Sequence, residues 1–195
     1  MYLSTRMKAV GGIAVLAFVL AGPAWADEFT APLTALANGE IKAVAADPAL
    51  IAAIVAQNAV SASYDQAKID ALDAQWKAEV SAASKPLIDA TLDNAASQYL
   101  KGVQEASAGK YTEIFAMDAK GLNVAQSTLT SDYWQGDEDK FTQSFGAGAG
   151  AVNLSEVEQD ESTQVFQSQV SVPITDPATG ALIGALTVGV DVSTL

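Results

Sequence analysis

Two adjacent aromatic residues in the polar segment 131–137 could bind a small molecule. Trp134 offers a π-face and an N–H donor, and Tyr133 offers a hydroxyl. Asp132 and Asp137 place a carboxylate on either side of this pair. An aromatic face beside a carboxylate suits an ammonium group, which it attracts by cation–π interaction and ion pairing. We therefore predict these four residues as contacts of an amine or amino-acid-like ligand. The alternative is a packed structural lid whose aspartates cap turns.

Three further polar side chains are secondary candidates for the same ligand. Lys140 could neutralise a ligand carboxylate, and the alternative for it is an ordinary surface lysine. Gln169 shares one face of a predicted strand with Gln167 and Ser171, and Gln126 ends another predicted strand. Such amides would orient a polar ligand if they face a cavity, but they form an ordinary outer face if they face solvent.

The composition argues against most catalytic and metal chemistry. The 195 residues include no His and no Cys, so the usual general base, thiolate ligands, disulfides and Ser-His-Asp triads are excluded. Two acidic clusters, at 137–139 and 156–161, lack the spacing of an EF-hand loop. We expect no cofactor and no resident metal. The net charge of −13 disfavours nucleic acid as a partner. Taken together, the composition predicts a binding module rather than an enzyme.

The N-terminal segment has the pattern of an export signal. Arg6 and Lys8 precede the apolar run 9–20, and Ala24-Trp25-Ala26 forms a small-residue cleavage site. We predict that residues 1–26 are a cleavable signal peptide, which places the mature chain in the periplasm without stable membrane insertion. The alternative is an uncleaved anchor.

Residues 27–109 have the periodicity of helices. Asp47-Pro48 marks a helix start before the apolar stretch 49–60. A second helical face is predicted from apolar residues spaced three or four apart, and Gly109 is expected to end the helical part. That face comprises Ile69, Leu72, Trp76 and Val80.

Residues 110–195 alternate in the manner of strands. Five strands joined mainly by hairpins are predicted, with turns at 118–121 and 176–180. The strands are expected at 114–117, 122–127, 152–157, 164–174 and 182–192. Together with the helices they predict one α+β domain over 27–195, in which N-terminal helices pack on an antiparallel sheet.

The last predicted strand has one bulky face and one small face. Ala185, Thr187 and Gly189 lie on the small face, whereas Leu186 and Val188 belong to the bulky one. Small side chains leave room above the sheet, which predicts a cavity there. A closely packed helix is the alternative.

Three segments resemble parts of a Cache domain, the extracytoplasmic PAS-like sensor fold. Residues 111–121 (YTEIFAMDAKG) resemble its first hairpin, and residues 131–137 (SDYWQGD) resemble the aromatic loop that follows. Residues 172–186 resemble its closing hairpin. The resemblance implies a small-molecule sensor with its pocket between the sheet and the aromatic loop.

Sensor domains of this family usually lie between two membrane helices and regulate a kinase, a cyclase or a chemoreceptor. No second apolar segment follows here, so we expect a free-standing form that signals through a separate membrane-bound kinase or chemoreceptor. The alternative is a non-catalytic structural or interaction protein of the cell envelope with a filled core.

Overall fold

The computed structural model describes residues 24–160 and 164–195, so the predicted signal peptide lies almost entirely outside it. The first part of the described chain is helical. A π-helical turn, Ala37–Ile41, follows α1. The helices are α1 (Ala24–Leu36), α2 (Lys42–Ala45), α3 (Pro48–Ser61), α4 (Gln66–Glu79), α5 (Pro86–Leu92) and α6 (Ala95–Ala106).

The helices begin where side chains satisfy their first backbone N–H groups. The Asp47 carboxylate accepts hydrogen bonds from the N–H groups of Ala49 and Leu50, and Pro48 follows it as predicted. Asn94 caps α6 by accepting from Ser97 N–H at 2.8 Å, and its amide also donates to Val124 O at 2.9 Å. These two interactions of Asn94 separate α5 from α6, although the spacing of apolar residues continues through both helices.

The buried face of α4 ends at Glu79, whereas the sequence predicted that it ends at Val80. Val80 is exposed, whereas Glu79 is buried and accepts hydrogen bonds from the N–H groups of Leu87 and Ile88 at 2.9 and 3.0 Å. Including Val80 in the apolar face was therefore wrong. The helix stops there because the Glu79 carboxylate turns inward to cap the first turn of α5.

The second part of the chain forms an antiparallel sheet with the order β2-β1-β6-β5-β3. A short strand, β4, also pairs with β5 and makes six strands instead of the predicted five. It arises because β5 extends past β3 and leaves its edge open to a second partner. The strands are β1 (Tyr111–Asp118), β2 (Asn123–Gln126), β3 (Asn153–Leu154), β4 (Glu158–Gln159), β5 (Phe166–Thr175) and β6 (Leu182–Asp191).

One face of the sheet packs against the helices and forms the main core. Leu186 and Val188 of β6 lie there with Ile114 of β1, and all three are fully buried. Leu50 and Ile54 of α3 pack against this face. The bulky side chains predicted for β6 therefore contact the long helices, as an α+β fold requires.

Within the described ranges, a helix covers the opposite face at one end only. A short helix, α7 (Asp139–Thr142), places Phe141 against Ala185 and the neighbouring Phe115. In the middle of this face the hydroxyls of Ser171 and Thr187 hydrogen-bond to each other at 2.9 Å. The small face thus meets a helix at the Ala185 end, and no helix of the described ranges covers the far end.

In the described ranges, no single helix is long and apolar enough to cross a membrane. The helical stretches Glu28–Ala45 and Pro48–Ser61, which meet at 72°, have the necessary length and composition only as a pair. Leu50 and Ile54 of the second stretch are fully buried in the core.

Candidate functional site

A groove runs along the uncovered part of the sheet, opposite the long helices. It consists of two depressions of about 470 and 560 Å³ that share Lys140, Gln167 and Gln169 as lining residues. The first lies over β1 and β5, and the second extends towards β3, β4 and α7. Further lining residues of the first are Thr112, Glu113, Phe115, Thr128, Leu129, Thr130, Ser131, Gln135 and Asp160.

Gly189 makes room for side chains that line this groove. It lies in β6 directly between Glu113 of β1 and Gln169 of β5. A Cβ atom at this position would contact the Thr112 hydroxyl, and it would lie 2.9 Å from Glu113 Cγ and 3.1 Å from Gln167 Oε1. The groove therefore depends on a residue without a side chain.

Lys140 supplies the positive charge of the groove. Its ammonium lies 2.9 Å from Glu138 Oε2 and 3.3 Å from Gln135 Oε1. It also lies 5.5 Å from the centroid of the Phe115 ring, which is almost fully buried. The ammonium has three N–H donors, and within residues 24–160 and 164–195 it has two partners.

Glu113 also lines the first depression and supplies a carboxylate. Its Oε1 accepts a hydrogen bond from Gln169 Nε2 at 2.8 Å. No ion pair in the described part of the chain involves Glu113. Gln167 accepts from the Thr112 hydroxyl and donates to Asp160 at 3.4 Å. Carboxylates, amides and one lysine therefore line the groove, and that lysine is already paired with Glu138.

Gln126 is buried beside the groove rather than in it. It pairs across the strands with Phe115, and its Oε1 accepts from the Thr130 hydroxyl at 3.1 Å. Its Nε2 has no hydrogen-bond partner within the described ranges. Because burying an unpaired donor is unfavourable, this atom marks a polar position next to the groove wall.

The aromatic pair of the segment 131–137 packs against α4, away from the groove. Tyr133 is buried and stacks on Trp76, with ring centroids 5.3 Å apart. The indole N–H of Trp134 donates to Lys120 O at 2.8 Å. Both aromatic side chains therefore belong to a hydrophobic cluster that joins α4 to the sheet.

Charged groups hold the same segment in place. Asp73 Oδ1 accepts the backbone N–H groups of Tyr133 and Trp134 at 2.9 and 3.1 Å. Lys77 bridges Asp73 and Asp132 at 2.7 Å each. Burial acts to raise the pKa of the Asp132 carboxyl, but hydrogen bonds from Lys77 and Ser131 outweigh it and hold this pKa below its usual range.

The seven site residues predicted from the sequence thus occupy different regions. Lys140 and Gln169 line the groove together with Gln167 of the same strand face, whereas Ser171 of that face is buried. Trp134, Asp132 and Asp137 line a separate shallow depression against α4. Tyr133 and Gln126 are buried as described above.

Glu113 and Phe115 are groove residues that the sequence prediction omitted. They lie two positions apart in β1 and therefore project from the same face of the sheet. The sequence feature that could have identified them is a charged residue two positions from a phenylalanine in a predicted strand. Across the part of the chain that the structure describes, no group of three or more acidic side chains is arranged to hold a metal ion.

Comparison with known proteins finds similarity only at the level of structure. No protein-family model and no curated protein matches the sequence. The ligand-binding domain of the Campylobacter jejuni chemoreceptor Tlp3, in complex with 4-methylisoleucine, aligns over 85% of this chain with 11% identity and a TM-score of 0.41. The sensor domain of the V. cholerae histidine kinase DctB aligns over 85% with 17% identity and a TM-score of 0.38.

The extracellular domain of vpHK1S-Z8 aligns over 86% of this chain with 11% identity and a TM-score of 0.49. The chain spans 61%, 58% and 55% of the Tlp3, DctB and vpHK1S-Z8 structures, respectively.

Proposed function

We propose that this protein is a periplasmic Cache-type sensor domain that binds a small amine or amino-acid-like molecule in the groove. The observation that carries this proposal is that a carboxylate, an ammonium group and an aromatic ring line the same depression. These groups belong to Glu113, Lys140 and Phe115. The predicted signal peptide supports the location.

An α-amino acid has the chemistry that this groove would recognise. Its ammonium group would pair with Glu113, and its carboxylate would accept a hydrogen bond from Lys140. The Phe115 ring would contact an apolar side chain, and the amides of Gln167 and Gln169 would accept and donate hydrogen bonds. A simple amine would use only the Glu113 carboxylate. The overall charge of −13 also favours cations over anions.

Signal transfer would require a membrane-bound partner, for which a kinase or chemoreceptor is our proposal. A ligand can shift the contact with such a partner only if it binds one conformation of the domain better than another. Residues 128–131 and α7 both border the groove and are the segments that a ligand would draw together.

The test is calorimetric titration of the purified protein with a panel of amino acids, simple amines and organic acids. A ligand that binds the folded state should also raise the melting temperature progressively as its concentration increases. Absence of binding across the panel would overturn the sensor proposal. It would favour the structural or interaction role in the cell envelope.

Two variants locate the ligand within the groove. Glu113→Gln should weaken both amines and amino acids, whereas Lys140→Gln should weaken amino acids and leave amines unchanged. A lost charge-assisted hydrogen bond of this kind lowers affinity by roughly tenfold or more. Glu105→Gln and Lys101→Gln are matched controls, since both residues are exposed on α6. Equal effects of test and control variants would show that the ligand binds elsewhere.

A further inference from the structure

A second cavity lies on the other side of the molecule, between the helices and the turn that joins β1 to β2. Its volume is about 200 Å³. Val60 of α3, Leu72 of α4, Leu87 of α5 and Leu122 supply most of its apolar surface. Ser61, Tyr64 and Tyr133 add three hydroxyl groups, and Gln57 adds an amide. It shares no lining residue with the groove.

This cavity has a closed floor and an accessible mouth. Leu122, Ser61 and Tyr133 are buried at the floor, whereas Leu72 and Leu87 are half-buried and Val60 is 59% exposed. The side of the mouth formed by α5 is fixed, because Glu79 at the end of α4 accepts the Leu87 N–H at 2.9 Å. A small molecule could enter without unfolding of the surrounding helices.

The polar groups at the floor of this cavity discriminate against negatively charged ligands. Ser61 Oγ donates to Asp118 Oδ2 at 2.7 Å, so its hydrogen is occupied and its oxygen remains an acceptor. Asp118 is fully buried, and no ion pair in the described ranges neutralises it. A buried carboxylate repels an anion strongly because the local dielectric constant is low. The floor therefore disfavours carboxylate ligands and accepts a neutral O–H or N–H donor.

We propose that this cavity binds a neutral, single-ring aromatic molecule of the phenol class, independently of the ligand in the groove. An apolar cavity of roughly 150 Å³ can hold benzene, so about 200 Å³ leaves room for one substituted ring. The ring would contact the leucines and the face of Tyr133. Its hydroxyl would donate to Ser61 Oγ.

Methyl NMR of the purified protein tests this assignment with phenol as the probe and benzoate as the charged comparison. Phenol should shift the methyl resonances of Leu72, Leu87 and Leu122 in a saturable manner, because an aromatic ring perturbs nearby methyl groups. Benzoate should bind at least about tenfold more weakly because of Asp118. Shifts confined to Leu129 and Leu154, which line the groove, would overturn the proposal. So would equal binding of benzoate.

A pair of matched variants adds a second test. Leu72→Phe fills the cavity and should abolish phenol binding. Leu92→Phe makes the same change in the same hydrophobic cluster but outside the cavity, and it should leave the affinity for phenol within about twofold. Unchanged phenol affinity in Leu72→Phe would overturn the proposal. Loss of phenol binding in both variants would also do so. Amino-acid titrations of the groove are unaffected by either outcome, so the two sites are tested separately.

Discussion

The aromatic segment 131–137 and the groove differ in how fully their polar groups are used inside the protein. In the aromatic segment, the indole N–H of Trp134 bonds to Lys120 O, and Asp132 is paired with Lys77. In the groove, the carboxylate of Glu113 accepts one side-chain hydrogen bond within the described ranges, from Gln169. Lys140 has two partners there, Glu138 and Gln135, for its three donors. Residue types that favour ligand binding therefore also serve to fix a loop. The difference lies in whether their partners are already present.

The largest effect is expected from removing the support of the aromatic segment. Trp76→Ala should destabilise the protein by about 4 kcal/mol, because a fully buried indole that stacks on Tyr133 leaves a large cavity. Leu129→Ala, at an exposed position of the groove, should cost less than about 0.5 kcal/mol. Urea unfolding measures both. Similar losses would show that the two regions are equally structural.

Two glycines of β6 should differ in whether their substitution affects stability or ligand affinity. Gly184→Ala should cost about 3 kcal/mol, because the new Cβ atom would overlap the backbone carbonyl of Met117. Gly189→Ala should cost about 1 kcal/mol, since the atoms it meets belong to side chains that can turn away. Only the Gly189 variant should remain folded and lose affinity for the groove ligand. Unfolding curves and calorimetric titration check this contrast, and retained affinity in Gly189→Ala would contradict it.

Affinity measurements decide between the two candidate ligand regions. If the groove is the site, Lys140→Gln should weaken amino-acid binding by about tenfold, and Trp134→Ala should leave it within about twofold. The prediction made from the sequence, in which Trp134 contacts the ligand, requires the reverse order. Titration of both variants with the same amino acid separates these outcomes.

The smallest effect concerns the ion pair that holds the aromatic segment. The pKa of Asp132 is lower in the folded protein than in the unfolded chain, so its stabilising effect is complete above the unfolded value of about 3.9. This effect is lost as the pH falls through the lower folded value. Asp132→Asn should reduce the melting temperature by about one or two degrees at pH 7. Thermal unfolding of both proteins at pH 7 and pH 3 should show the difference shrinking at the lower pH, whereas a constant difference would exclude this linkage.

Local chemistry made much of the fold predictable. Asp47-Pro48 specifies a helix start through its own side chain and ring, and Gly121 has the positive φ of 80° expected in the turn after β1. The alternation along β6 correctly separated a bulky face from a small one because neighbouring side chains in a strand point to opposite sides. These features depend on residues close together in the chain.

The location of the site depended on contacts between distant residues. Only the packed structure places Asp73 and Lys77 of α4 against the aromatic segment, and only the pairing of β1, β6 and β5 places Glu113 and Gln169 on either side of Gly189. The sequence by itself determined the helices, the strands and which residue types could bind an amine. Tertiary structure decided which of those residues already had partners, because hydrogen bonds and ion pairs form between whichever groups the fold brings together.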